Sequence, residues 1–453
     1  MAGTRNRTPP DARLTEAVAH VLQTAGVAPR QTLCVAFSGG VDSTVLLHLL
    51  AGLRGRFGFE LAAAHVHHGL STNADAWLAC CARQCAALGV PFHPFHVAVP
   101  RDHPAGLEAA ARELRHAALS RVACEWLVFG HHLDDQAETM LFRLLRGTGL
   151  RGAGAMRAID GGTPGWLRPL LGVRRSDIVR FAQAALLDWV EDESNADPGF
   201  ARNFLRHRVL PLAAEAFPGA VPALARAADH FREAGELLDD LAALDAAACG
   251  EDSLVRERVL DLPDARLRNL LRYRIRSMGY DAPPRARLVE AVRQLRDAGE
   301  RPLFLPLGAL NCCAYRGEVW LEAGFDGGAA EPVAWRGERS LSWGSGEVRF
   351  EPAIGAGIGR AALEAREAVL MPRWPGLTLR EAVERPRRTF KNLCQEAGIP
   401  AWLRPRLPVL RVGGEAAWIA EIGVAAEFRC APGEEGVLPA WRRRERPRKG
   451  RKG

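Results

Sequence analysis

The sequence predicts an α/β fold whose N-terminal domain is built on a doubly wound, mostly parallel sheet, followed by a helical middle domain and a small α+β C-terminal domain. Two observations carry this prediction. Short apolar runs alternate with helix-period segments over residues 33–186, and a glycine-rich turn joins the first run to the next helix. Strands that alternate with helices in this way form parallel sheets covered by helices on both faces.

Four strands and five helices are expected in the N-terminal domain, which we assign to residues 1–212. The expected strands are Leu33–Phe37, Leu61–Val66, Phe95–Val99 and Trp126–Phe129. The expected helices are Val45–Leu53, Ala74–Leu88, Leu107–Val122, Ala137–Leu145 and Ser176–Leu186, the last with Ser176 as its N-cap.

The composition changes after this domain. The expected segments are a helical middle domain over 213–322, a linker over 323–369, a basic C-terminal domain over 370–440 and a basic tail over 441–453. The middle domain begins with the periodicity of one long amphipathic helix, Ala213–Ala248, and two more helices are expected near Ala265–Met278 and Arg285–Ala298. The linker is predicted because Gly324–Val348 is rich in glycine.

The overall composition is that of an ordinary globular protein, with 48% hydrophobic and 25% charged residues in a chain of 453. No apolar stretch approaches the ~20 residues that a membrane helix needs. The ten cysteines include no Cys-x-x-Cys pair, which argues against a zinc ribbon, a thioredoxin-type site and a disulfide scaffold. The first thirty residues show no secretory signal, so we expect a cytoplasmic protein.

Basic charge is concentrated in the C-terminal quarter of the chain. The formal net charge is +7, and residues 441–453 carry eight Lys and Arg against Glu445, so the chain before them is neutral overall. Within that neutral part, residues 373–411 carry nine Lys and Arg against three Glu, which predicts a surface that meets a polyanion. Three aromatic residues interleave with these charges and are expected either to stack on bases or to pack in a core: Trp374, Phe390 and Trp402.

The strongest local signal is the hexapeptide Ser38-Gly39-Gly40-Val41-Asp42-Ser43, between the first strand and the first helix. Glycines allow a tight turn, and successive backbone N–H groups at a helix N-terminus bind an anion. The Lys of a Walker loop is missing, and the first Lys of the chain is Lys391. Phosphate charge must therefore be met by backbone amides, arginines and a metal ion.

A second motif, Gly130–Thr139, follows the fourth strand and is expected at the same edge of the sheet. It places three carboxylates, those of Asp134, Asp135 and Glu138, in one helical turn, where like charges repel unless something offsets them. A helix N-terminus favours one or two acids but does not explain two adjacent histidines. A Mg²⁺ ion between carboxylate and phosphate would account for the acids. Zinc is the less favoured alternative, because no Cys or His lies at a suitable spacing.

Three further stretches are predicted to join this edge. The run His65–Gly69 ends the second strand with three histidines, which favours a site over a core histidine. The third helix presents one acid and two arginines on one face, an arrangement that is also typical of a surface ion pair: Glu108, Arg112 and Arg115. Arg202 and Arg206 repel each other at i,i+4, which suits a contact with phosphate or an RNA backbone.

Taken in order, these motifs resemble those of the tRNA(Ile)-lysidine synthetases, a family of PP-loop ATP pyrophosphatases. The matching runs are SGGVDS, HVHHG, LEAAARELR, GHHLDDQAET with RGTGLRG, RPLL, and EDESN followed by RNFLRHRVLP. Leu254–Leu321 resembles the family's middle domain and Arg388–Phe428 its C-terminal domain, so the resemblance covers most of residues 31–430. Three residues depart from the family pattern: His67 and Ser71 replace an Asn and an Arg, and His116 replaces a Tyr.

The resemblance implies an adenine nucleotide alpha hydrolase-like fold and a two-step reaction on the wobble cytidine of the isoleucine tRNA with a CAU anticodon. ATP adenylates the cytosine carbonyl oxygen and releases pyrophosphate; free lysine then attacks through its ε-amine and expels AMP, forming lysidine. The implied cofactors are ATP and Mg²⁺, and the implied partners are tRNA(Ile) and free lysine. No membrane contact is expected, and the sequence leaves open whether the protein is a homodimer.

The resemblance also implies roles for individual residues. The implied catalytic residues are Asp42, Asp135, Glu138 and Arg202, with Asp42 and Asp135 as metal ligands. The implied nucleotide ligands are Ser38, Gly39, Gly40, Val41, Asp42, Ser43, His65, Gly130 and His131. The implied tRNA or lysine ligands are His132, Asp134, Glu108, Arg112, Arg115, Asn203, Arg206, Arg388 and Lys391. Whether Asp135 or Glu138 deprotonates lysine stays open.

Three other functions use parts of the same pattern. A PP-loop tRNA thiolase would need paired cysteines near the loop, and this chain has none at the usual spacing. A small-molecule amidotransferase or synthetase, another kind of ATP pyrophosphatase, would not need the basic C-terminal region. A tRNA-binding protein with an inactive nucleotide fold would not keep the acidic motif intact.

Overall fold

The computed structural model describes residues 10–443 except 101, 104–105, 194–198, 200, 251–252, 325–330 and 345, and it leaves the side chains of residues 10, 11, 108 and 443 undescribed. The described chain divides into two compact units, one ending at Leu237 and the other beginning at Leu238. In this described part, no helix combines the length and the apolar character that crossing a membrane requires.

The first unit alternates strands and helices. Its strands are β1 (Thr32–Ala36), β2 (Glu60–His67), β3 (Phe92–His96), β4 (Trp126–Val128), β5 (Ile159–Asp160) and β6 (Gly165–Leu167). Its helices are α1 (Pro10–Thr24), α2 (Val41–Phe57), α3 (Ala74–Ala87), α4 (Leu107–Leu119), α5 (Leu133–Leu145), α6 (Leu150–Ala153), α7 (Arg175–Ala184), α8 (Ala201–Phe204), a π-helical turn (Leu205–Val209) and α9 (Leu210–Ala216). The long helix α10 (Ala220–Cys249) runs from the first unit into the second.

The six strands form one sheet in the order β3-β2-β1-β4-β6-β5, parallel except for β5. Side chains of β1 point alternately to the two faces of the sheet. Leu33 and Val35 belong to the core under α2 and α7, and Cys34 belongs to the core on the other face. This confirms the predicted doubly wound, mostly parallel sheet. Chain order reverses between β1 and β4, and ligands bind at such a reversal, beyond the carboxyl ends of the strands.

Several predicted boundaries in this unit are wrong. Strand β3 lies three residues earlier than expected, and α1 was not predicted at all. Helix α7 begins one residue before Ser176 and has Arg174, not Ser176, as its N-cap. The single helix expected over Ala213–Ala248 is interrupted, because Pro218-Gly219 separates α9 from α10.

The middle part of the chain is a helical layer on a small antiparallel sheet. Its elements are β7 (Leu254–Val255), α11 (Arg256–Asp261), α12 (Asp264–Ser277), α13 (Arg285–Asp297), β8 (Leu303–Pro306), β9 (Leu310–Tyr315) and β10 (Glu318–Ala323). The strand order is β7-β10-β9-β8. The apolar faces of α12 and α13 pack on the buried strand β9, and Leu270, Leu288 and Cys312 lie in this core.

The C-terminal part is rich in β-structure. Its strands are β11 (Val333–Trp335), β12 (Ser340–Trp343), β13 (Gly346–Ile354), β14 (Ile358–Gly359), β15 (Ala368–Met371), β16 (Thr378–Leu379), β17 (Arg388–Thr389), β18 (Val409–Val412), β19 (Glu415–Ile419), β20 (Gly423–Val424) and β21 (Glu435–Arg443). Its helices are α14 (Arg360–Glu364) and α15 (Phe390–Glu396), with two 3₁₀ turns at Arg404–Arg406 and Ala426–Phe428. The sheet orders are β11-β15-β18-β19-β20, β12-β13-β21-β14 and β16-β17.

The prediction of a linker over 323–369 is wrong. Strand β13 pairs along its whole length with β21, and β11 pairs with β15, so this segment supplies strands to the C-terminal sheets. Apolar side chains of this segment, among them Trp343, Val348 and Phe350, are buried in the C-terminal core. Of the predicted basic tail, 441–443 belong to β21, and 444–453 lie outside the described residues.

The interleaved aromatic residues pack instead of presenting free rings. Phe390 is buried in the C-terminal core, and Trp374 and Trp402 pack against that core. The Trp402 ring also lies 5.4 Å from the ring of Phe304 and 6.2 Å from that of Trp320, on the middle sheet. Core packing, one of the two alternatives, accounts for these three residues.

Candidate active site

The hexapeptide 38–43 forms the turn from β1 into α2 and depends on glycine at its centre. Gly39 has φ of +85°, and a Cβ there would lie 2.8 Å from Cys81 Sγ and 2.9 Å from Val190 Cγ2. The Val190 N–H donates to the Gly39 carbonyl at 2.9 Å, which fixes the turn from outside. Only glycine combines this conformation with so close an approach.

Backbone N–H groups at the start of α2 remain available for an anion, because a helix leaves its first N–H groups without intrahelical acceptors. The N-cap of α2 is Gly40, which has no side chain to accept hydrogen bonds from these N–H groups. The hydroxyl groups of Ser38 and Ser43 lie 3.1 Å apart, and Ser43 also donates to the Gly40 carbonyl at 3.0 Å. Two hydroxyl groups and a helix N-terminus therefore surround one point, as phosphate binding requires.

Two close contacts hold the loops together. A Cβ on Gly130, just after β4, would lie 3.1 Å from the backbone carbonyl carbon of Asp42 and the backbone nitrogen of Ser43, so glycine lets the two motifs touch. The buried His65 of β2 places Nδ1 2.9 Å from the carbonyl of Phe37, which follows β1; because a carbonyl can only accept, Nδ1 carries the proton. His65 thus positions the residue that precedes the loop.

His132 connects the carboxylates of the two motifs. It is 1% exposed and caps α5: the Asp135 N–H donates to His132 Nδ1 at 3.2 Å, and the His132 N–H donates to Asp135 Oδ2 at 3.0 Å. Because Nδ1 accepts, the proton of the neutral ring is on Nε2. That atom lies 3.7 Å from Asp42 Oδ2 and 3.4 Å from Asp135 Oδ2.

The Asp42 carboxylate is incompletely paired. Its Oδ1 is buried and has no hydrogen-bond partner among the described residues. Burial raises the pKa of Asp42, while His132 and Arg175 oppose the rise. An unpartnered carboxylate oxygen beside a second carboxylate fits a Mg²⁺ ion, which takes oxygen ligands from one or two carboxylates and from phosphate. No set of three His, Cys, Asp or Glu side chains forms a ready-made metal site in the described part of the chain.

Arg206 offsets the repulsion between Asp135 and Glu138. Its Nη2 donates to Asp135 Oδ1 at 2.8 Å and to Glu138 Oε2 at 2.9 Å, and its Nε donates to Glu138 Oε1 at 2.7 Å. Burial raises the pKa of Glu138, and the paired guanidinium group opposes this. One guanidinium group therefore pairs with both carboxylates of the site.

Asp134, predicted as a substrate ligand, points to α7. It accepts the Arg175 backbone N–H at 2.8 Å, and it accepts from Nε and Nη2 of the Arg174 side chain at 3.3 Å each. A carboxylate of α5 thereby satisfies an N–H group in the first turn of α7. This packing role explains the third acid of the motif, and its contact with substrate stays a prediction.

A small open cleft, with a cavity volume of about 50 Å³, lies beside these carboxylates. It is lined by Arg112, His131, Asp135, Glu138, Thr139, Arg143, Met156, Arg202 and Arg206. Burial and four neighbouring arginines lower the pKa of Arg112 to about 10, and burial with Arg202 lowers the pKa of Arg115. Arg115 Nε is buried without a hydrogen-bond partner in the described structure. Such crowding of cations favours an anionic ligand.

His131 faces the same cleft in its neutral form. Burial lowers the pKa of His131 to about 3, and its Nδ1 is buried with no hydrogen-bond partner among described residues. A neutral imidazole with an unused nitrogen is suited to a hydrogen bond with a base or a nucleotide.

The remaining predicted residues lie in different places. Asn203 lies on α8 between Arg202 and the π-helical turn, and the Glu108 side chain is outside the described residues. Arg388 and the exposed Lys391 lie in the second unit, where Arg388 is paired with Glu396.

Sequence reasoning missed Arg143, Thr139 and Met156, which line the cleft. The helical spacing of Thr139 and Arg143 from Asp135 was the available signal, because i,i+4 neighbours share a helix face.

Family models match three separate segments. A PP-loop domain matches residues 10–213, a TilS substrate binding domain matches 254–320 and a TilS substrate C-terminal domain matches 369–441. Among solved structures, the U34-tRNA thiolase NcsA from Methanococcus maripaludis is a distant neighbour, with a TM-score of 0.42 and 18% identity over 49% of this chain and 80% of that chain.

Curated relatives match nearly the whole chain. A tRNA(Ile)-lysidine synthase from Aromatoleum aromaticum is 72% identical over 93% of this chain and 100% of its own length. One from Azoarcus sp. is 57% identical over 93% of this chain and 94% of its own, and one from Nitrosomonas europaea is 36% identical over 97% and 98%. By its loops, its cleft and these relatives, the chain belongs to the tRNA(Ile)-lysidine synthase family.

Proposed function

We propose that this chain ligates lysine to the wobble cytidine of the isoleucine tRNA with a CAU anticodon, using ATP and releasing AMP and pyrophosphate. One observation carries the proposal: a phosphate-binding turn and a two-carboxylate site meet across His132 at the edge of an arginine-lined cleft. The first feature suits adenylation, the second suits an amine nucleophile, and the third suits RNA.

In the first step, the cytosine carbonyl oxygen attacks the α-phosphorus of ATP and pyrophosphate leaves. The N–H groups at the start of α2, with Ser38 and Ser43, bind phosphate oxygens on which negative charge grows. Asp42 and Asp135 are the proposed holders of Mg²⁺, which when bound would neutralise phosphate charge near the leaving group. His65 and Gly130 act indirectly, because they set the position of the turn.

In the second step, lysine must attack as a free amine, although its ammonium group titrates near ~10.4. Glu138 and Asp135 bind the ammonium group in place of Arg206, and one of them accepts its proton. The amine lone pair then forms the C–N bond, and the bond to the AMP oxygen breaks. Burial favours this transfer, because it raises the pKa of Glu138 and makes that carboxylate a stronger base.

The tRNA is the proposed ligand of the cleft arginines. Arg112 and Arg202 line the cleft, where the reacting nucleotide is proposed to enter, and Arg115 adds positive charge near Arg202. Contacts with phosphates position a nucleic acid. The cytoplasm is the proposed location, since tRNA and free lysine are both available there. Lysine as the second substrate stays a prediction, and a homodimer stays an open alternative.

The test is the fate of ATP. With tRNA and lysine present, α-labelled ATP should give AMP, and pyrophosphate should appear in equal amount. Omitting lysine should stop the reaction at an AMP bound to tRNA. A chain that releases AMP only with a sulfur donor would be a thiolase, and one that needs no tRNA would be a small-molecule synthetase; either result rejects the proposal.

A further inference from the structure

One turn beyond Glu138, helix α5 carries an aromatic ring that lies against two arginine side chains. Glu138 and Phe142 stand at i and i+4 on α5, about one turn, ~5.4 Å, apart, and Arg146, the C-cap of α5, follows four residues after Phe142. The Arg146 Cζ lies 5.1 Å from the centre of the Phe142 ring. The Arg202 Cζ, which comes from α8, lies 5.7 Å from the same centre. We name these three side chains the Phe142 stack.

The Phe142 stack is continuous with the cleft. Arg202 lines the cleft and also covers Phe142, so one guanidinium group spans both places. The outer side is open, because Arg146 is exposed and Leu145, beside Phe142 on the helix, is 70% exposed. Arg202 is followed by the π-helical turn Leu205–Val209, and such turns recur at functional sites.

We propose that the Phe142 stack holds the base of a nucleotide adjacent to the reacting cytidine. This inference rests on the proposed function. A cytosine can reach the carboxylates only if it leaves the stack of its neighbours, and those neighbours then lose a stacking surface. Aromatic rings and guanidinium planes replace that surface in single-stranded RNA recognition. The stack offers both, one helical turn from Glu138, with two positive charges that suit the RNA backbone.

The chain contains a matched control for this arrangement. At the C-terminal end of α2, the Arg56 Cζ lies 5.5 Å from the centre of the Phe57 ring, and Phe57 is half-buried like Phe142. This pair stands ~25 Å along the helix from the phosphate-binding turn. A loss that follows Phe142→Leu but not Phe57→Leu therefore belongs to the cleft and not to arginine–aromatic packing in general.

The experiment measures lysidine formation by the full chain on three RNAs. One is the intact tRNA, and the other two lack the base on the 5′ or the 3′ side of the target cytidine. On intact tRNA, Phe142→Leu should raise KM for tRNA about tenfold and leave kcat within about twofold, because stacking is lost without a change in the reacting groups. Phe142→Trp should keep KM within about threefold of the parent chain.

The abasic RNAs separate stacking from folding. On the RNA that lacks the stacked base, the parent chain and Phe142→Leu should have the same KM, since there is nothing left to stack. An equal KM increase on all three RNAs, a loss shared by Phe57→Leu, or an unchanged KM on intact tRNA would overturn the inference. Failure of the parent chain to modify any RNA would reject the proposed function instead.

Discussion

Arginines are concentrated in two regions of this chain, the cleft beside α5 and the segment 373–411. The two regions differ in which arginines are paired with carboxylates. In the C-terminal segment, Arg387 lies 2.9 Å from a Glu415 oxygen and 3.0 Å from a Glu427 oxygen, and Arg388 is paired with Glu396. In the cleft, Arg112 and Arg143 have no carboxylate partner among the described residues, and neighbouring arginines help to lower the pKa of both.

A charge count along the sequence therefore does not locate a charged surface. Residues 373–411 count as strongly basic, yet two of the acids that pair with them, Glu415 and Glu427, lie outside the counted window. The chain before residue 441 counts as neutral, yet its fold gathers arginines from α4, α5 and α8 at one cleft. Exposed pairs contribute little to stability, but they do cancel charge that would attract RNA.

Asp42→Asn should have the largest effect, because Asp42 is the half-buried and incompletely paired acid of the turn that leads into α2. Lysidine formation should fall on the order of 10³-fold, as when a preorganised polar group is lost from an active site. The melting temperature should stay the same or rise, since burial raises the pKa of Asp42 and Asn carries no charge. Stopped activity assays and thermal melts measure both.

Asp177→Asn, at an exposed ion pair of α7, is the matched control for that substitution and should keep full activity. Affinity for tRNA should stay within about threefold in both variants, because no basic group changes. Retained formation of adenylated tRNA by Asp42→Asn would break the assignment of Asp42.

The second prediction sets Arg112→Gln against Arg388→Gln. Loss of the cleft arginine should weaken tRNA binding about tenfold and lower the slope of log K against log salt by about 1, as for one lost phosphate contact. Loss of the paired C-terminal arginine should change affinity by about twofold or less, because Glu396 already neutralises it. Binding across a salt series measures both. Equal losses in the two variants would contradict the prediction that the cleft arginine contributes more to tRNA binding than the paired one.

His116→Tyr should have the smallest effect. It tests whether burying a histidine beside arginines lowers the stability of the fold in acid. Burial, with Arg115 and Arg112 close by, lowers the pKa of His116 to about 4, and its ring stacks on Trp166 at 5.0 Å. A histidine whose pKa is lower in the folded than in the unfolded state stabilises the fold above about pH 6.5, and this stabilisation is lost as the pH falls toward about 4. Tyrosine, with a pKa of about 10, does not titrate there.

The melting temperature should therefore fall less between pH 7 and pH 5 in His116→Tyr than in the parent chain. His230→Tyr, at an exposed position of α10, should leave the pH dependence unchanged. Identical pH profiles for all three proteins would show that burial of His116 has no effect on acid stability.

Much of the site follows from local sequence. Gly39 and Gly130 occupy positions where a Cβ would collide with a neighbour, and the short motifs that contain them are enough to mark the two loops. The parallel sheet, predicted from alternating runs, brings those loops together at its carboxyl edge. The pairing of Asp134 with α7 and of Arg206 with two acids depends on tertiary contacts across 41 and 71 residues, which no local pattern reveals.

The error over 323–369 has a different cause. The glycines between 324 and 348 suggested a linker. Among the described ones, Gly337 lies at a bend and Gly344 at a turn between short strands, and Gly346 begins β13. The alternation of Val348 and Phe350 with polar neighbours was the period-2 signal of a strand buried on one face. Strand β13 is stabilised by its partner β21, almost ninety residues later, and so distant a pairing leaves no local trace in the sequence.

Mass analysis of the modified nucleoside tests directly whether the chain ligates lysine to cytidine. The full chain is incubated with ATP, Mg²⁺, isotope-labelled lysine and the isoleucine tRNA with a CAU anticodon, and the tRNA is then digested. We expect a cytidine derivative that carries the lysine label, and on the order of 10³-fold less of it from Asp42→Asn. A cytidine that stays unmodified with the parent chain, or one that gains sulfur instead of labelled lysine, would contradict this expectation.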